Sequence, residues 1–169
     1  MSVDVASIHR FFETYGWRYD FEESTKTWHT GFRGDTSNFN IFVHLTENWL
    51  YFTITPFVNA PVDTACEATL HRFLLRLNHA INMAKFSLDS DGDVVLTVEL
   101  PTENLDYSEF ADGLNALSFY ADAHYLEVLN SAKDPDYQPS MGPAAAAVAS
   151  AEAGEDDEDG GSDPGVGMN

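Results

Sequence analysis

Several groups of side chains in this chain have the types that do chemistry, and each falls short of one requirement. The run Asp89-Ser90-Asp91-Gly92-Asp93 carries the carboxylates of a calcium loop. A helix-loop-helix calcium loop, however, takes ligands at positions 1, 3 and 5 and its glycine at position 6. Gly92 stands at position 4 and strand-like sequence flanks the run, so a hairpin turn is expected. Six histidines could ligate a metal or act as bases. His71 and His79 are eight apart on one helical stretch, too far to share a tetrahedral site, and His29 and His44 lie in separate extended runs. Cys66, the one cysteine, falls in the apolar stripe of a helix and reads as a buried, inert thiol rather than a nucleophile. Neither Asp91 with Asp93 nor Glu22 with Glu23 has the apolar surroundings that would raise one carboxyl pKa above the other. Gly31 and Gly34 are too sparse for a phosphate loop and lack the Lys-Ser/Thr that completes one. No catalytic, cofactor or metal residue is therefore assigned. A metal-dependent sensor or enzyme built on His and Asp groups is the alternative reading.

The elements that would position these groups follow from periodicity. Val5, Ile8, Phe12 and Tyr15 recur three or four apart, so a short amphipathic helix is expected, stopped by Gly16. Alternation around Trp17, Tyr19 and Phe21, and again around Trp28, Thr30 and Phe32, predicts two strands of a hairpin. NFNIFVHL and WLYFTITPF read as central antiparallel strands, and Phe42 on the polar side of the first suggests that both faces are at least partly covered. Pro56 should sit at a strand end. From Pro61, the spacing of Cys66, Leu70, Phe73, Leu74, Leu77 and Ile81 predicts a helix of roughly 20 residues, about 30 Å long. A second hairpin follows, MAKFSL turning through DSDG into DVVLTVEL. Leu105, Asp106, Glu109 and Phe110 then combine a capping box with a hydrophobic staple, and Leu114, Leu117, Ala121, Tyr125 and Val128 continue that helix's core face. Three helices and five or six short strands in the order α-β-β-β-α-β-β-α describe an α+β fold, an antiparallel sheet packed by helices.

Charge narrows the function. The 169 residues carry 28 Asp plus Glu against 8 Lys plus Arg, a net charge of -20. Phosphate backbones and anionic membranes are repelled by such a balance, so direct nucleic-acid or membrane binding is disfavoured. Without an apolar run long enough to span a bilayer or a basic, apolar leader, a cytoplasmic address is expected, and the single cysteine suits a reducing compartment. Residues 1–130 hold 19 acidic and 7 basic side chains, and residues 131–169 hold 9 and 1. All 12 Phe and 3 Trp precede residue 131, so a folded domain is expected over 1–130 and a disordered tail, Ala-rich then acidic, over 131–169. Aromatics supply large contact area with little entropy loss, which makes Trp17, Trp28 and Trp49 candidate protein-binding residues together with Leu70 and Leu74 on the long helix.

The span from Leu74 to Leu129 resembles the C-terminal half of the YbjN-like proteins, a family labelled as bacterial sensory transduction regulators. The resemblance rests on Leu77-Asn78 at a helix end, Lys85-Phe86 in a strand, the turn Asp89-Ser90-Asp91-Gly92, Leu100-Pro101 at the end of an apolar strand, and Tyr125 in the final helix. It implies a fold similar to that of type III secretion chaperones, small acidic dimers that bind partner proteins without enzymatic activity, and it brings no catalytic residues. The expectation is a non-catalytic, chaperone-like or regulatory protein-binding module without a cofactor. A homodimer is expected, with a basic client such as a nucleic-acid-binding protein.

Overall fold

The structure is a computed structural model that describes residues 2–141. Its first helix, α1 (Val5–Tyr15), begins where the Asp4 side chain accepts from the Ser7 N–H at 2.8 Å and the Ser7 hydroxyl at 2.6 Å. It ends at Gly16, whose φ of 84° is left-handed and whose N–H donates to the Phe12 carbonyl at 2.9 Å. Four strands follow: β1 (Asp20–Glu22), β2 (Thr27–Arg33), β3 (Asn38–Leu45) and β4 (Trp49–Val58). Together with β5 (Ala84–Leu88) and β6 (Val94–Pro101) they form one antiparallel sheet in the order β1-β2-β3-β4-β6-β5. The α+β class is as expected. Four strands precede the second helix, the expected hairpin of β1 with β2 and the two central strands, one more than the order α-β-β-β-α-β-β-α counts.

The second helix is shorter than its periodicity suggests. A 3-10 turn (Thr64–Cys66), with the Asp63 carboxylate accepting from the Ala65 N–H at 2.9 Å, precedes α2 (Glu67–Ala80). Pro61 lies before this turn, since Asp63 rather than the proline starts the helical path. With 14 residues α2 is about 21 Å long. The capping box of α3 (Tyr107–Lys133) forms as expected: Glu109 N–H donates to Asp106 and Asp106 N–H to Glu109, both at 3.1 Å.

Register puts the buried apolar strand residues into rows on one side. Trp28, Val43, Phe52, Val98 and Ala84 align across five strands, and all are buried. Phe110 of α3 packs on Phe52 at 5.4 Å and on Phe12 of α1 at 5.1 Å between ring centroids. Gly113 allows this approach, for a Cβ there would meet Leu100 and Phe52 side chains at 3.2 Å. The buried Trp28 indole N–H is satisfied by donating to His9 Nδ1 at 3.2 Å.

The fold runs past residue 130. Ser131 and Ala132 are buried within α3, and Met141 is 4 % exposed against the core. The Ser140 N–H and hydroxyl both donate to Glu127 Oε1, at 2.6 and 2.5 Å, holding the last described segment along α3. The expected disorder of residues 131–169 therefore does not apply to 131–141, where three apolar or small side chains find burial, and the remaining residues, 142–169, lie outside the described ones. Truncation after Asn130 is expected to lower stability by at least about 2 kcal/mol, the worth of burying a side chain such as Met141. Truncation after Met141, which keeps Ser131, Ala132 and Met141, should leave the thermal midpoint above that of the shorter chain, and circular dichroism melts of the two truncated chains check this.

Candidate protein-interaction surface

Because α1, α2 and α3 all pack on the apolar side of the sheet, the other side is left open among the described residues. On that side one row runs His29, Phe42, Thr53, Thr97 and Lys85, and the next runs Thr27, His44, Tyr51 and Glu99. The Phe42 ring meets His29 edge-on at 5.0 Å, and Tyr51 stacks with His44 at 6.4 Å. Thr27 Oγ1 and His44 Nδ1 share a hydrogen bond at 3.1 Å, and Lys85 pairs with Glu99 at 2.7 Å. Phe42, His44 and Tyr51 are half-buried by neighbours within the sheet, not by a second layer. The expectation that both faces are covered is thus corrected: cross-strand packing explains an aromatic at Phe42 without a helix above it.

The two edges of the sheet differ. Along β5 the Asn78 side chain stands in for a missing strand, accepting from the Phe86 N–H at 2.7 Å and donating to the Phe86 carbonyl at 2.9 Å. At the other edge β1 pairs with β2 only up to Asp20 opposite His29, so Thr30 to Arg33 have no strand outside them. A hollow opens there, lined by Arg18, Tyr19, His29, Gly31 and Asn40. On the helical side, Asp122 of α3 clasps the β2–β3 turn, accepting from the Asp35 N–H at 3.0 Å, the Thr36 N–H at 2.9 Å and the Thr36 hydroxyl at 2.7 Å. The Thr36 backbone bond, then that of Asp35, holds this carboxyl below its ordinary value.

Sequence-predicted binding residues do not converge. Trp28, Leu70 and Leu74 lie in the core, because each falls on the buried stripe of its own element, and they offer no surface. Trp17 is half-buried on the rim of the helical side, stacked on Phe32 at 6.0 Å. Trp49 is 43 % exposed and faces the open side of the sheet, so the two accessible tryptophans belong to opposite faces. The exposed apolar residues that sequence reasoning missed are Val62, Leu75, Met83, Leu88, Phe119 and Leu126. In the helices their signal was present: Leu75 breaks the 70/73/74/77 stripe, and Phe119 and Leu126 break the 110/114/117/121 stripe.

The chemistry-bearing residues are engaged structurally. Asp89 Oδ1 accepts from the Asp91 and Asp93 N–H groups at 2.9 and 3.0 Å, and Asp93 accepts from the Ala60 N–H at 2.7 Å, as a closed hairpin turn requires. Among the described residues no group of three or more His, Cys, Asp or Glu is placed to hold a metal. Burial pushes the Cys66 thiol up, with Asp63 and Asp134 adding to the shift. His124 is fully buried on α3, stacked with Tyr120 at 6.1 Å, and neither ring nitrogen has a hydrogen-bond partner. Desolvation lowers its pKa, against the opposing pull of Glu127. A histidine held neutral in the fold binds its proton more readily when unfolded. Stability should therefore fall as pH drops below about 6.5, the ordinary imidazole value. His124→Leu is expected to flatten the decline in thermal midpoint between about pH 7 and 5, and paired melts of the two proteins measure the difference.

Comparison with known proteins gives this arrangement a family. A search of curated proteins found no match. Among solved structures, YbjN of E. coli is similar with a TM-score of 0.54 at 16% identity, covering 78% of this chain and 94% of that one. A chain of the heterodimeric ExoU–SpcU complex from the type III secretion system of Pseudomonas aeruginosa follows at 0.52 and 16% identity, covering 73% and 96%. A chain of the ExsC–ExsE complex gives 0.52 at 14% identity, covering 76% and 97%. These likenesses show a shared type III secretion chaperone-like fold. The profile described as "Putative bacterial sensory transduction regulator" matches residues 4–129, three quarters of the chain, and the protein belongs to the YbjN family.

Proposed function

We propose that this protein is a non-catalytic, chaperone-like or regulatory protein-binding module that holds a client in the cytoplasm and acts as a homodimer. The observation that carries this reading is the open side of the sheet, where Phe42, Tyr51 and Trp49 stand among His29 and His44 with no layer over them among the described residues. Aromatic side chains with polar rims are the composition of protein interfaces. Two of the structures that share the fold are complexes between two proteins, which supports a client of the same class. The described residues carry 21 acidic and 8 basic side chains, so a basic client, such as a nucleic-acid-binding protein, is favoured in approach and in orientation.

The test uses Phe42→Thr/Tyr51→Thr, which keeps strand propensity while removing the rings. Affinity capture with the full-length protein should return clients that the double variant loses at unchanged thermal stability. Recovery of the same proteins by both forms, or of none by either, would place binding elsewhere or remove it. Light scattering at micromolar concentration, with a dimer expected, checks the assembly.

A further inference from the structure

Residues 68–88 contain no Asp or Glu, the longest such stretch in a chain with 28 of them, and they contain Arg72, Arg76 and Lys85. Lys85 is engaged by Glu99 on the open side of the sheet. Arg72 and Arg76 sit four apart on the outward side of α2, both exposed, and neither has an ion pair among the described residues. Leu75, 70 % exposed, lies between them, and His79 continues the stripe one turn on. Elsewhere each cation has an acid close by in sequence, as Arg18 has Asp20, Lys26 has Glu23, Arg33 has Asp35 and Lys133 has Asp134. The outer face of α2 is thus a cationic stripe with an apolar centre on an otherwise acidic surface. One acid, Glu67, stands at its start.

We propose that this stripe is the docking site of the chain's own acidic segment, residues 152–163. Charge complementarity is the first support, for that segment carries seven carboxylates and no base. Exposed single pairs are weak, at about 0–1 kcal/mol each, so a site of this kind needs several carboxylates and a tether. Reach is the second. The 3-10 turn before α2 packs on α3, and the Asn82 N–H after α2 donates to the Tyr120 hydroxyl at 3.2 Å, so α2 runs antiparallel to α3. Ser140 is held at Glu127, between the levels of those two contacts, and Met141, the last described residue, is buried against the core. The ten residues between Met141 and Glu152 span up to about 35 Å when extended, more than the length of α2. A tether this short supplies an effective concentration on the order of millimolar, enough to populate a weak electrostatic contact.

The consequence is a self-masking device in which the acidic segment covers Leu75 and neutralises the one basic face. The test contains no client, so it stands apart from the reading of the open sheet. Full-length protein is treated with a glutamate-specific protease at low salt, and cleavage after Glu152, Glu155 and Glu158 is followed by mass spectrometry. Arg72→Gln/Arg76→Gln is expected to be cut about threefold to tenfold faster than the parent at the same salt, with an unchanged thermal melt. Arg18→Gln/Arg33→Gln should be cut at the parental rate. Equal rates in the parent and the α2 variant would overturn the proposal. Protection that grows with protein concentration would also overturn it, because the segment would then dock on another copy.

Discussion

The six strands turn most of their apolar residues to the same side, and three helices must cover that side at a depth the side chains allow. The constraint is tightest where α3 crosses the centre of the sheet. Gly113 lies over Phe52, Val98 and Leu100, and a Cβ there would crowd Leu100 and Phe52 at 3.2 Å, so these side chains would have to give way. Once α3 is seated, Phe110 bridges α1 to β4, and Met141 closes over the core. The open face is the other half of the same fact. With every helix committed to one side, the aromatics that alternate to the far side have only their cross-strand neighbours.

Polar groups inside this arrangement are treated unequally. Trp28 has its partner in His9, and Phe86 of β5 has both backbone groups satisfied by Asn78, which also closes that edge to further strands. Among the described residues His124 has neither nitrogen paired, and Glu127, three residues on along the same helix, is anchored through one oxygen to Ser140. A buried imidazole without partners is tolerated only when neutral.

Net charge conceals a division of the surface. Acids are spread over the sheet edges, turns and α3, while the stretch from 68 to 88 has none and places two exposed guanidinium groups around an exposed leucine. An acidic average therefore describes long-range steering, and short-range contacts depend on which face is presented.

The α+β class, the hairpins and the capping box of α3 were legible in the sequence, because period, turn residues and caps are local and lie within a few positions of each other. Helix α2 was legible as to its stripe but not its start, since the choice between Pro61 and Asp63 depends on how the chain leaves β4. The boundary at residue 130 was misplaced for a related reason: Ser131, Ala132 and Met141 have little apolar pattern of their own and are buried by elements distant in sequence. Trp17, Trp28 and Trp49 have the same composition-level claim to binding, and only the sheet's two sides separate them into rim, core and open surface. By itself the sequence determined which residues share a strand face or a helix stripe, and it determined the sign of the charge. Tertiary structure decided which of those faces found a covering layer, because burial depends on the packing of elements whose distance in space has no counterpart in their spacing along the chain.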